Sequence, residues 1–316
     1  MTVEAPVVPT ARPPSRPRHR ARRRERASAL LTAARTPRGA IGLAMAAVVV
    51  LAAVIGPLVA PQPATALVTL AFGKPSGQFW LGGDYLGRDV LSRVLDGGWV
   101  LLVMAVCATA IGVAGGALAG ISAAYLRGVS DGIIMRSADV ILSFPQVVFA
   151  LLLLSLLGPK LWLITLTVGV SHAPQVARVL RSATLDVSER DFVKAAELQG
   201  MRPGKVMVKE ILPNLVSPLM VETGLRLTYS ITIFAGLAFL GFGQAPPAAT
   251  WGTMIYENRI GLSQNPWAVI VPAALIALLT IGINTYTDAF ARVAIGADRR
   301  PEEAALIDNL GQELGG

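Results

Sequence analysis

Charge is scarce in this chain, and so are the side chains that carry chemistry. Of its 316 residues 15% are charged, two are histidine and one is cysteine. With Cys107 alone no internal disulfide can form and no cysteine cluster can hold zinc. His19 lies in a basic N-terminal stretch and His172 in an apolar run, where it reads as a packed helix residue rather than a ligand; no serine, histidine and acid set is evident. No Gly-x-x-x-x-Gly-Lys-Ser/Thr phosphate loop occurs, since Gly200-Met-Arg-Pro-Gly-Lys205 lacks both the glycine spacing and the final hydroxyl residue. These absences argue against a hydrolase, a metalloenzyme or an ATPase, and no cofactor is expected to be bound by this chain.

Polar stripes at helical spacing are missing as well, which speaks against a large soluble helical core. What is present instead is apolar length. Hydrophobic residues make up 53% of the chain, and uncharged stretches run over 39–73, 97–126, 140–159, 161–177, 227–256 and 260–287. Most hold the roughly 20 residues a helix needs to cross hydrocarbon. A transmembrane β-barrel would need many short alternating segments in their place. The pattern predicts an all-α, multi-pass membrane protein with six transmembrane helices.

The one strongly biased region is the N-terminus. Ten arginines from Arg12 to Arg38 face only Glu4 and Glu25, so this stretch carries the whole formal charge of +8. No nucleic-acid reading module accompanies it. Residues 1–38 are expected to be a disordered basic cytoplasmic tail that orients the first span by the positive-inside effect and touches anionic lipid. The apolar run that follows is too long for a signal-peptide core and reads as a retained span.

Expected spans are Gly39–Ala60, Gly98–Ile121, Val140–Leu157 containing Pro145, Leu161–Val179 kinked at Pro174, a fifth within Leu215–Leu240, and Trp267–Tyr286. Gly116 and Gly120 in the second have the spacing that lets helices approach closely. Asp84-Tyr-Leu-Gly-Arg-Asp-Val-Leu-Ser-Arg93 reads as a short amphipathic helix or turn at the outer surface. Arg127, Asp131, Arg136 and Asp139 fall in a connection. The transmembrane domain covers 39–290, with a charged cytoplasmic loop at 181–213, and 291–316 forms a cytoplasmic C-terminal tail with a solvated acidic end. Both termini are expected inside.

The most specific motif is Asp191-Phe-Val-Lys-Ala-Ala-Glu-Leu-Gln-Gly-Met-Arg-Pro-Gly-Lys-Val-Met-Val-Lys-Glu-Ile-Leu-Pro-Asn214. It resembles the signature of the inner-membrane permeases of binding-protein-dependent ABC importers, a Glu-Ala-Ala with a Gly four positions after the second Ala and an apolar-Leu-Pro ending. Lys194 stands where that signature commonly begins with Glu. Leu86-Gly-Arg-Asp-Val-Leu-Ser-Arg93, Asp131 with Met135-Arg-Ser-Ala-Asp139, Phe239-Leu-Gly-Phe-Gly243, and Pro246-Pro247 with Trp251-Gly252 narrow the resemblance to the dipeptide, oligopeptide and nickel branch.

The resemblance implies a type I importer permease fold and a subunit that forms half of a translocation pathway. It implies coupling to ATPases through Lys194, Ala195, Ala196, Glu197, Gly200, Gly204, Leu212 and Pro213. Implied partners are a second permease subunit, two ATPase subunits or domains that bind ATP and Mg, an extracytoplasmic solute-binding protein and membrane lipid, with no nucleic acid. Dipeptides or oligopeptides are the implied cargo; nickel or another small solute is the alternative. An ion-coupled carrier or a non-transporting scaffold are readings of a different class. Tyr229, Ser230, Thr232, Asn284 and Thr285 are candidate pathway residues, because polar groups at membrane depth face a wet cavity or pair with another helix.

Overall fold

The computed structural model describes residues 29–243 and 248–314. Residues 1–28, which hold eight of the ten N-terminal arginines, and Pro246-Pro247 lie outside the described residues, whereas 29–35 of the expected disordered tail are helical, with Ala33 buried beside Phe290. The first long helix, α1 (Pro37–Val59), begins where Thr36 caps it by accepting the Gly39 N–H at 3.1 Å, with Pro37 in the first turn, where a missing N–H costs nothing. It ends at Ala60, just before Pro61.

A short helix α2 (Val90–Asp96) leads through Gly97 into α3 (Gly98–Leu126). The next two helices are α4 (Gly128–Leu142) and α5 (Gln146–Leu157), and α6 (Leu161–Ser188) follows. The expected third span is therefore not one straight helix: α4 and α5 meet at an angle of 78° across Ser143-Phe144-Pro145. Pro145 supplies no N–H to continue the ladder, and its ring pushes the preceding residue out of helical geometry. Asp131, Arg136 and Asp139, expected in a connection, are helical in α4.

After α6 come α7 (Asp191–Leu198) and α8 (Pro203–Val206), which passes through a wide turn, Met207–Ile211, and a tight one, Leu212–Asn214. The chain then forms α9 (Val216–Leu237), α10 (Trp251–Asn258) and α11 (Trp267–Leu314). The last of these runs without a break through position 291.

Among the described residues, four helical stretches are long and apolar enough to cross a membrane, and five if the bent pair α4–α5 counts as one. The protein is thus an all-α multi-pass membrane protein. Helix α6 is not one of the four, because Ser171, His172, Gln175 and Arg178 dilute its apolar content.

Small residues bring the helices together, as they must where lipid supplies little hydrophobic drive. A side-chain carbon at Gly116 would stand 2.5 Å from the Ala173 carbonyl oxygen, and one at Gly120 would stand 2.4 Å from that of Ala177. This stripe sets α3 directly on α6. Around it Val49, Leu101, Leu154, Val168, Phe234 and Trp251 form the main core.

At one end of the bundle the segment between α1 and α2 folds back onto α10 and the loop after it. Asn258 accepts the Tyr85 N–H at 2.9 Å, the Asn265 side chain donates to the carbonyls of Leu81 (2.9 Å) and Gly83 (3.0 Å), and the Trp251 indole donates to the Val94 carbonyl at 2.8 Å. The Asp84–Arg93 stretch is accordingly not the exposed amphipathic element its charges suggest. Asp84, Arg88 and Arg93 are all buried, and only its end is helical.

Candidate coupling and pathway sites

At the opposite end of the bundle, residues 189–214 form a helical elbow. Val193 on α7 packs with Val206, Ile211 and Leu215 against Ile121 and Val187, and Ala196 is buried on the same helix. Lys194, Ala195, Glu197 and Leu198 are left on the exposed face. Helix α7 stops in a glycine-dependent cap: the Gly200 N–H donates to the Glu197 carbonyl at 2.8 Å and the Met201 N–H to that of Ala196 at 3.2 Å. Gly200 has φ of +75°, in the left-handed region where glycine is unstrained. The four-residue spacing from Ala196 to Gly200 is the distance from the third-last helical position to the left-handed cap residue. That gives the sequence spacing a physical cause.

The second arm turns at Pro213, which has no N–H to donate, and the Asn214 side-chain amide donates to the Glu210 carbonyl at 2.5 Å. Leu212 and Pro213 are half-buried there, whereas Gly204 is exposed. Polar contacts tie the elbow to the bundle. The Tyr125 hydroxyl donates to the Glu197 carboxylate at 2.7 Å, and Arg127 pairs with Glu189 at 2.5 Å. The hydrogen bond from Arg127, with the charges of Arg127 and Lys194 beside it, holds the Glu189 carboxyl below its ordinary range. Close by, Arg181 grips Asp131 through two bonds of 2.6 and 2.5 Å, and Arg178 pairs with Asp139 at 2.5 Å, fixing α4 to α6.

The five candidate pathway residues are not brought together. Tyr229 is 52% exposed and stacks on Arg226, and Thr232 is exposed beside it on α9. Ser230 is buried, 3.0 Å from His172 Nε2 and 3.3 Å from the Thr109 hydroxyl. Asn284 and Thr285 are half-buried on α11, and Thr285 meets α1 at Gly42, in an ordinary helix contact. An apolar groove of about 680 Å³ runs along the junction of α3, α9 and the elbow, with Val113, Leu118, Met207 and Leu227 among its walls.

A buried polar network crosses the middle of the bundle. Gln146 at the start of α5 meets His172 Nδ1 at 3.3 Å, and His172 passes the chain to Ser230. Beside it Arg226 pairs with Glu222 at 3.1 Å and donates to the Gln175 side-chain oxygen. An unpaired charge at this depth is expensive, so the two should depend on each other. In a cycle of Glu222→Gln, Arg226→Gln and the double substitution, the yield of folded, assembled protein should show a coupling of about 1–2 kcal/mol. Strictly additive effects would disprove the pairing.

Residues 116–294, from within α3 to the middle of α11, match the family model described as binding-protein-dependent transport system inner membrane component. A Brucella ovis protein described as a peptide permease is 35% identical over 216 residues, 68% of this chain and 72% of the relative. A peptide transport system permease protein of Brucella suis is 33% identical over 249 residues, 78% and 84% of the two chains. The dipeptide transport system permease protein DppC of Alkalihalophilus pseudofirmus is 32% identical over 214 residues, 68% and 70%. The chain belongs to the binding-protein-dependent ABC importer permeases.

The matched region of this permease takes in the whole elbow and the polar network. As a member of that family it is the membrane component of a transport system and not its catalytic subunit. No cluster of histidine, cysteine and acidic residues suited to a metal ion occurs among the described residues. The eight elbow residues, Lys194 to Pro213, stand on two arms around one apolar cluster. His172 is the packed helix residue its apolar surroundings suggest, whereas Gln146 and Gln175 are not singled out by the sequence, although Ser171, His172 and Gln175 lie within about one helical turn of one another and Gln146 directly follows Pro145.

Proposed function

We propose that this permease forms half of the membrane pathway of an ATP-driven importer for dipeptides or oligopeptides and is driven through its elbow by separate ATPase subunits. The elbow carries this reading: a short helix closed by a left-handed glycine, anchored on a buried cluster and exposing Lys194, Ala195, Glu197 and Leu198 to a partner. An element so anchored transmits force that a mobile loop would dissipate. The peptide cargo is supported by the names of the relatives, and Mg and ATP belong to the partner ATPases. In this reading the bent pair and α6 are both spans, which brings the number to six and gives the type I permease topology. A second permease subunit completes the pathway, and a solute-binding protein delivers the cargo.

The test is reconstitution of the chain with its ATPases, second permease and binding protein, followed by uptake of labelled di- and pentapeptides. ATP-dependent peptide uptake is expected. Uptake of nickel in place of peptide would reassign the cargo, and uptake driven by an ion gradient without ATPases would overturn the proposal.

The same reading orients the chain, with the elbow and both termini in the cytoplasm. On a Cys107→Ala background, cysteines at Ser76 or Ser263 should react with an impermeant reagent added to intact cells, whereas one at Ser188 should not. Labelling at Ser188 would reverse the topology.

A further inference from the structure

The break between α4 and α5 stands in the middle of the bundle, not at either end. It leaves Ser143, Phe144 and Pro145 exposed, Phe144 by 56%. The Ser143 N–H still reaches the Asp139 carbonyl at 3.0 Å, but Pro145 has no N–H to offer and regular helix resumes only with the Phe149 N–H on the Pro145 carbonyl at 2.9 Å. Irregular backbone at membrane depth is tolerated where it lines water or protein and not where it faces lipid. Beside the break lies a pocket of about 220 Å³, walled by Phe144, Pro145 and Phe149 and carrying the polar groups of Gln146, Ser171 and Gln175.

The orientation of two amides in that pocket follows from their partners. Arg226 can only donate, so the Gln175 side chain turns its oxygen to the guanidinium, and its amide nitrogen points away with no partner among the described residues. Gln146 presents its nitrogen to His172 Nδ1, which leaves its carbonyl oxygen without a partner among them. One free donor and one free acceptor are what a peptide unit needs, since it offers one C=O and one N–H. The Arg226 charge is already matched by Glu222, so the pocket suits a neutral amide better than an ion.

We propose that this pocket is a wet subsite on the translocation path, at which Gln175 donates to a carbonyl and Gln146 accepts from an N–H of a passing peptide's main chain. The inference rests on the peptide-importer reading above and names the contact by which the permease itself senses peptide. It explains why these polar residues are spent inside a span, and it makes recognition independent of the cargo's side chains.

The experiment uses the complete importer reconstituted with its binding protein, in a Cys107→Ala background where thiols are needed. Phe144→Cys should react with a charged methanethiosulfonate, which attacks thiols in water, whereas Leu152→Cys, 56% exposed in the middle of α5 on an apolar face, should not. Uptake of trialanine per ATP hydrolysed should fall about tenfold in Gln146→Leu, the order expected for one lost hydrogen bond. Trialanine methylated on its central amide nitrogen should be discriminated against less by Gln146→Leu than by the wild type; with one binding protein common to both, that protein's own preference cancels. Ser171→Ala gives a second variant should Gln146→Leu fail to assemble: the Ser171 proton is held by the Thr167 carbonyl at 2.8 Å, so this change removes from the pocket only an acceptor for water or peptide, leaves Arg226 and His172 with their partners, and should lower uptake by less. Phe144→Cys no more reactive than Leu152→Cys would overturn the wet subsite, as would unchanged uptake and discrimination in both variants. Absence of peptide uptake by the wild-type importer would instead overturn the peptide reading, and the choice of ligand with it.

Discussion

Arg93→Met should cost the folded protein about 3–5 kcal/mol, the range for removing one partner from a buried ion cluster. Asp84 accepts from Arg88 Nε at 2.6 Å, from the Arg93 guanidinium, and from the backbone N–H groups of Leu86 and Arg88 at 2.9 Å each. Glu257 lies 3.3 Å from Arg88 and 3.1 Å from Arg93. Two positive and two negative side chains thus share a nearly dry site, and losing one arginine strands a carboxylate there. Thermal unfolding of the purified permease in nanodiscs should show a large drop for Arg93→Met and a smaller one for Arg93→Met with Glu257→Gln, which restores neutrality. Equal losses in the two would refute charge balance as the cause.

The carboxylates of that cluster respond oppositely to their surroundings. Burial pushes the Asp84 carboxyl up, but the Arg88 backbone N–H, Arg93 and the Arg88 guanidinium outweigh it and hold it below the ordinary value. Its contribution to stability is present above that ordinary value and is lost as pH falls through the lower folded one. At Glu257 burial wins over the two arginines and the carboxyl is raised, so its contribution is present at low pH and lost as pH rises through the folded value.

Much of the fold could be read in the sequence because lipid and helix geometry are both local constraints. Apolar length located α1, α3, α9 and α11, and Gly116 and Gly120 announced the close α3 contact before its partner was known. Hydropathy was blind to the break at Ser143-Phe144-Pro145, since the residues on either side are apolar whether or not the ladder continues. It was equally blind to the cluster around Asp84. Charged side chains read as surface until their partners are visible, and those partners lie far along the chain, Asn258 being 173 residues from Tyr85. The elbow was the most legible site, because the Ala196-to-Gly200 spacing is a property of one helix end. The polar network was the least, because each of its residues sits on a different helix from its partner, apart from the i, i+4 pair Glu222 and Arg226.

Gly200→Val should leave the permease inserted but loosen its hold on the ATPases, cutting uptake per ATP hydrolysed by roughly tenfold. The magnitude comes from backbone strain: an L-residue held in the left-handed region costs about 1–2 kcal/mol, and 1.4 kcal/mol is a factor of ten. Steric clash is not the cause, because a side-chain carbon at Gly200 would meet no atom within 4 Å. That separates two explanations which a single substitution would confuse. If the glycine matters for its φ of +75°, then Gly200→Asn should retain most activity, Gly200→Ala less and Gly200→Val least, since asparagine tolerates the left-handed state and a β-branched residue does not. If the glycine instead makes room for an ATPase surface, asparagine should be as harmful as valine despite its tolerance of that backbone. Insertion, ATPase association, hydrolysis and uptake have to be measured separately, because only a loss of association or of coupling at normal insertion bears on the elbow. Full association and full uptake in Gly200→Val would remove Gly200 from the mechanism, and the same result for a charge-and-bulk block over Ala195 to Gly200 would mean that the elbow is not the element through which ATP hydrolysis reaches the membrane path.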